Sequence, residues 1–226
     1  VLKQLISVKK EDVSVLIVGL GNRAVTPDAL GPRVVDNLYI TRHIINEYGK
    51  YAFGKEHVNR VSSIVPGVMA QTGMESMEIV NGIVKETKPD VVIAIDALAA
   101  RSAFRLGTTV QLTDTGIRPG SGVGNARKGI TKENMKIPVI AIGIPTVVSA
   151  AAIVSDAMDS LKQIGYNETI LGSIAMLDKE EYYQLISEVF APELGSLFVM
   201  PKNLDEELDT MSSLLAASLS QVICKR

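Results

Sequence analysis

The sequence predicts an α/β protein, a three-layer α/β/α sandwich built on a mostly parallel sheet. Three observations carry this. Short apolar runs recur at residues 13–18, 61–65, 91–95 and 138–142, and they are continuous rather than alternating, as strands buried on both faces require. Between them lie segments with apolar residues at helical spacing. Gly and Pro sit at the junctions. Strands that alternate with helices imply a parallel sheet, and the right-handed crossover rule puts helices on both of its faces.

The elements follow in order. Residues 13–18 form the first strand, closed by a turn with Gly19 and Gly21. A helix should begin between Thr26 and Pro32, since proline belongs in a first turn, and Val34, Val35, Leu38, Ile44 and Ile45 supply its apolar stripe. Residues 48–59 read as a polar connection, and 61–65 as a strand stopped by Pro66-Gly67. A helix over 74–87 ends before Pro89, and the β-rich run 91–95 runs into Asp96. Residues 108–112 form a strand near an edge, whose carboxyl end should face the same rim as Asp28 and Asp96. A long polar stretch, 113–136, follows with a glycine-rich centre, and a loop of that length is functional or disordered. A strand over 138–142 is ended by Gly143-Ile144-Pro145-Thr146, followed by a helix over 149–164. A helix over 179–190, a short strand over 197–199 and a final helix over 204–223 complete the chain.

The 226 residues fit a single α/β domain over 1–226, enough to bury a core without staples. With 46% hydrophobic residues but 4% aromatic and no Trp, that core must be aliphatic. A net charge of −2 and no basic run interleaved with aromatics argue against a nucleic-acid partner. No apolar stretch reaches the ~18–20 residues of a membrane span, so no membrane partner is expected. The lone Cys224 can form no internal disulfide and reads as a tail residue. A cytoplasmic location is expected.

Two aspartates stand out. Asp28 lies in the turn after the first strand, and Asp96 closes the apolar run 91–95. In an open parallel sheet, chemistry gathers at the carboxyl ends of strands. Two carboxylates delivered there could share a proton and activate water, or hold a metal. Asp28 could instead cap a helix, and Asp96 could pair with Arg101 or Arg105. Gly19-Leu20-Gly21-Asn22-Arg23-Ala24 fits a dinucleotide fingerprint formally, but no acidic residue ends a second strand about twenty positions on. His43 and His57 show no metal-ligand spacing and no G-x-S-x-G elbow exists, so histidine-dependent nucleophilic catalysis finds no support. The glycine-rich loop could cradle an anion or grip an extended peptide.

Several motifs together resemble the germination protease family of spore-forming bacteria: Gly19-Leu20-Gly21-Asn22, Thr26-Pro27-Asp28-Ala29-Leu30-Gly31-Pro32, Ile95-Asp96-Ala97-Leu98-Ala99-Ala100-Arg101, Gly120-Ser121-Gly122-Val123-Gly124-Asn125 and Ile144-Pro145-Thr146-Val147-Val148. The resemblance implies a homo-tetrameric endopeptidase of the spore interior, made as a zymogen, that degrades small acid-soluble spore proteins at germination. It implies Asp28 and Asp96 as the catalytic pair, one ionised and one protonated, with no cofactor. Substrate contact is expected from Gly120, Ser121, Gly122, Gly124, Asn125 and Arg127. Alternatives are a metal-assisted hydrolase using the same acids and an inactive binding or assembly module. The fold is also similar to that of hydrogenase maturation peptidases, whose two acids and a histidine bind nickel; no histidine follows residue 57 here. The chain is expected to be a core lacking the propeptide region. Ser149 stands where the family is expected to carry Asp, and the connection after the 149–164 helix is short.

Overall fold

The computed structural model describes residues 12–54, 57–120, 128–163, 178–190 and 197–224. The chain forms two compact units, one of residues 1–97, 110–144 and 203–226, the other of residues 98–109 and 145–202.

The larger unit is a three-layer α/β/α sandwich. Strand β1 (Ser14–Gly19) pairs in parallel with β2 (Arg60–Ile64) on one side and with β3 (Val91–Ala100) on the other. Beside β3 lies β5 (Val139–Ser149). Val92 N–H at the start of β3 donates to the Pro138 carbonyl at 3.0 Å, so both strands enter the sheet from one edge. The short β4 (Gln111–Thr113) closes the order β2-β1-β3-β5-β4.

Side chains alternate across this sheet. Val15, Ile17, Ile93, Ile95, Ile140 and Ile142 face α1 (Leu30–Asp36) and α8 (Leu204–Cys224). Leu16, Val18, Val92 and Ala94 face α4 (Ser76–Thr87) and α5 (Lys132–Met135). Helix α8 presents Leu204, Leu208, Ala216, Leu219 and Ile223 to that core at helical spacing, and Asp209 in its second turn takes a 2.6 Å ion pair from Arg33 of α1.

The stripe expected over 34–45 is interrupted. Helix α1 stops at Asp36 and α2 (Arg42–Tyr48) starts afresh. The reason is Thr41, fully buried, whose hydroxyl donates to the Asn59 carbonyl at 2.6 Å and accepts from Val61 N–H at 2.9 Å. That tie to β2 holds the chain out of a helix. A short α3 (Met69–Thr72) precedes α4.

Three further expectations are corrected. Strand β4 runs antiparallel to β5, pairing Gln111 with Gly143 and Thr113 with Ala141, so its carboxyl end leaves toward the opposite edge from the aspartates. The polar stretch 113–136 is not one loop: Ile117 and Ile130 form an antiparallel bridge, and α5 buries Met135. Strand β5 does not stop at Gly143. It continues through Pro145 to Ser149.

In the smaller unit the far end of β5 pairs antiparallel with β6 (Phe198–Val199), through Val148–Val199 and Ser149–Phe198. A sequence window cannot show that partner, fifty residues distant. Pro145 lacks a donor but its carbonyl accepts from Gly107 N–H at 2.9 Å. Helix α6 (Ala150–Gln163) packs Ala151 against Tyr182 and Ile186 of α7 (Lys179–Phe190). Ser149 Oγ caps α6, accepting from Ala152 N–H at 3.2 Å.

Candidate functional site

Strand β1 goes to β2 on one side and then to β3 on the other, so the strand order reverses between β1 and β3. Helices leave a crevice at such a switch point, on the carboxyl edge. Asp28 follows β1 and Asp96 lies on β3, so both belong to this crevice.

Backbone contacts fix Asp28 there. Leu20 N–H donates to the Ile95 carbonyl at 2.8 Å, tying the end of β1 to the end of β3. The chain reverses at Gly21 with φ +110, where a Cβ would lie 2.0 Å from the Asp28 carbonyl oxygen. A 3-10 turn, Thr26–Asp28, follows. Gly31 in the first turn of α1 then packs so closely that a Cβ would sit 2.4 Å from the Leu20 oxygen and 2.6 Å from the Ile95 oxygen. Ala29 and Leu30 are fully buried. Asp28 is half-buried, and its Oδ2 accepts from Asn22 N–H at 2.7 Å. It therefore staples the glycine turn rather than capping α1, whose N-cap is Ala29 with no side-chain bond.

Asp96 is the sixth residue of β3 and 7% exposed. Its Oδ1 accepts from the Ala97 N–H at 3.0 Å. No cation pairs with it among the described residues, and Arg101 reaches Glu180 at 3.6 Å instead. The ion-pair explanation for Asp96 therefore does not hold. Burial pushes its carboxyl up to about 7, the negative charge of Asp28 pushes the same way, and the Ala97 N–H opposes both. Asp28 is also raised by burial, against the Asn22 N–H that favours its anion. The two groups thus titrate as a pair in which Asp28 ionises first and its charge retains the proton on Asp96.

Beside Asp28 opens a cleft of about 480 Å³, walled by residues 21–24 on one side and Val65, Pro66, Gly67 and Gln71 on the other. Asn22 forms an Asx turn, its Oδ1 accepting from Ala24 N–H at 3.0 Å and from Gln71 Nε2 at 3.0 Å. From sequence, Asn22 reads only as part of a glycine turn and residues 65–67 as a strand end, and Gln71 carries no signal. The signal available was an Asn directly after a G-x-G turn.

Lys128, which follows the glycine-rich centre, lies beside the start of α4. Its N–H is 3.4 Å from Glu75 Oε2, and the next residue, Ser76, donates from Oγ to the Gly67 carbonyl at 3.3 Å. Gly120 adopts φ +74. Ser121, Gly122, Gly124, Asn125 and Arg127 lie outside the described residues. His43 is exposed on α2, and His57 Nδ1 lies 3.7 Å from Asp12 Oδ1. No group of three His, Cys, Asp or Glu side chains among the described residues could hold a metal ion. No helix among them is long and apolar enough to cross a membrane.

Comparisons with known proteins converge on one family. A family profile described as Germination protease matches residues 1–168. The Germination protease of Bacillus velezensis is 44% identical over 94% of this chain and 67% of its own length. That of Caldanaerobacter subterraneus is 49% identical over 87% of this chain and 61% of its own length. The chain thus spans about two thirds of the curated relatives it matches. Among solved structures, a [NiFe] hydrogenase maturation protease HycI from Thermococcus kodakarensis aligns over 97% of this chain and 98% of its own, at 17% identity and TM-score 0.44. The hydrogenase maturating endopeptidase HybD from E. coli aligns over 70% of this chain and 94% of its own, at 13% identity and TM-score 0.32. Scores this low carry no argument.

Proposed function

The chain belongs to the germination protease family, and from that premise we propose that it hydrolyses peptide bonds by an aspartate-dependent mechanism at the Asp28–Asp96 crevice. The observation that supports this most is the asymmetry of the pair. Asp96 keeps its proton up to about 7 under the charge of Asp28, while Asp28 is only half-buried and is hydrogen-bonded to Asn22 of the cleft wall. An ionised base beside a protonated acid is what one-step activation of water and carbonyl requires.

In this reading Asp28 takes a proton from water as the water oxygen bonds to the scissile carbonyl carbon. The C=O π pair moves to the carbonyl oxygen, which takes the Asp96 proton. On collapse Asp28 passes its new proton to the leaving nitrogen, the C–N bond breaks, and the carboxyl product returns a proton to Asp96. Both aspartates end as they began.

The substrate reading is small acid-soluble spore proteins, degraded in the spore interior at germination by a homo-tetramer released from a zymogen. The family's name and the motif resemblance support it. Segment 116–129 is assigned to substrate contact, supported by the bond from Lys128 to Glu75 on the cleft side.

Asp28→Asn and Asp96→Asn in the full-length protein should each lower kcat on a spore-protein substrate by at least about 10³-fold with the fold intact. Turnover that stays near the unsubstituted level in either variant would refute the dyad. Activity lost to a chelator and restored by a divalent metal would favour the metal-assisted reading.

A further inference from the structure

The side chain of Asn22 is held at one end and open at the other. A backbone N–H can only donate, so the bond from Ala24 at 3.0 Å identifies Oδ1 and leaves the amide nitrogen in the other position. Gln71 is oriented the same way, because Val68 N–H donates to its Oε1 at 3.4 Å, and its Nε2 then fills the second acceptor site of Asn22 Oδ1. Nothing among the described residues accepts from Asn22 Nδ2. This residue lines the 480 Å³ cleft, and its own backbone N–H binds Asp28 Oδ2 at 2.7 Å.

We infer that Asn22 Nδ2 is a substrate-binding donor of the site: it hydrogen-bonds the oxygen of the peptide carbonyl under attack and the negative charge that develops there. This deepens the peptidase reading above and rests on it. As the water oxygen adds and the π pair moves onto the carbonyl oxygen, Asn22 supplies a hydrogen bond without gaining or losing a proton, while Asp96 supplies the proton. Two accepted bonds fix the amide beforehand, so no reorganisation is needed when charge appears. Its neutrality also matters. A Lys or Arg in that position would favour the anion of both aspartates and strip Asp96 of the proton it must give. The nearest cation on the turn, Arg23, is engaged with Asp36.

The test uses full-length protein, a hydrolysable peptide, and the same peptide with a phosphinate in place of the scissile amide. Asn22→Ala removes the donor. Asn22→Ser removes the amide donor as well, since its hydroxyl lies one bond closer to the backbone than Nδ2, and it keeps a short acceptor for the Ala24 N–H if the alanine variant folds poorly. Both should lower kcat by about 10²–10³-fold with KM changed by less than about threefold, the pattern of a contact made in the transition state. Affinity for the phosphinate should fall in parallel, while affinity for the cleaved products and the unfolding temperature stay put. Phosphinate affinity equal in Asn22→Ser and the unsubstituted protein overturns the assignment, as does no phosphinate binding by the unsubstituted protein. Asp28→Asn separates the two levels. Normal turnover in that variant sinks the aspartate mechanism, whereas the role of Asn22 is decided by phosphinate affinity alone.

Discussion

Asp96 is where burial and a neighbouring charge act in one direction, and its pH behaviour follows. The folded state holds this proton more tightly than the unfolded chain, whose carboxyl titrates near 3.8. The stability this group contributes is therefore fully present below that value and is lost as pH rises through about 7. A shift of this size corresponds to about 4 kcal/mol at most. Asp96→Asn should flatten the fall, so denaturant midpoints measured from pH 5 to 9 should converge at the acid end and separate above 7, the variant the more stable. Parallel curves would show that Asp96 is not buried as a neutral acid. Catalysis should decline over the same alkaline range, as the acid is emptied, and decline on the acid side as Asp28 takes a proton. Asp96 stands out in the sequence because a charge after an apolar run is hard to explain by packing, and Asp28 because it lies in the turn after the first strand. Asn22 does not, because its interest lies in a network with Gln71, forty-nine positions away.

The glycine contacts between β1 and α1 set the geometry of the crevice. A Cβ on Gly19 would lie 2.4 Å from the Gly31 oxygen, and one on Gly31 would meet the carbonyl oxygens of both Leu20 and Ile95. Backbone cannot yield as a flexible side chain can. Gly31→Ala should cost about 3 kcal/mol or more and lower activity further than its stability explains, by lifting Asp28 from β3. Gly82→Ala, at an exposed position of α4 with nothing within 4 Å of the added carbon, should instead stabilise by about 0.5–1 kcal/mol. Thermal unfolding of the two variants checks the contrast. A mild effect at Gly31 would mean that α1 can slide. The parallel centre of the sheet was legible because each strand is a local apolar run. The direction of β4, the reach of β5 to Ser149 and the break before Arg42 were not, because each answers to a partner distant in sequence.

At the scale of the molecule, the larger unit is closed by its last element. Helix α8 covers a sheet face whose strands lie far earlier in the chain, with Leu208 fully buried and Asn59 Nδ2 donating to the Ile223 carbonyl. Leu208→Ala should cost about 2–5 kcal/mol, read by denaturant unfolding, while substitution of the exposed Asp205 or Asp209 beside Arg33 should cost under about 1 kcal/mol. Equal costs would mean that α8 is held by charge rather than by its apolar face. This arrangement also imposes an order in time. Strand β1 ends at Gly19 and α8 begins at Leu204, 185 residues later. Asp96 precedes Leu204 by 108 residues, so at ribosomal rates of about 5–20 residues per second both aspartates exist for roughly 5–20 seconds before the helix that completes this face of the sheet begins. A nascent chain therefore carries both acids without a closed core. Ribosomes stalled with α8 still in the exit tunnel should display a chain that proteases digest throughout. Stalling after α8 has emerged should protect β1, β2 and β3, and protection at the earlier point would show that the sheet sets without its lid.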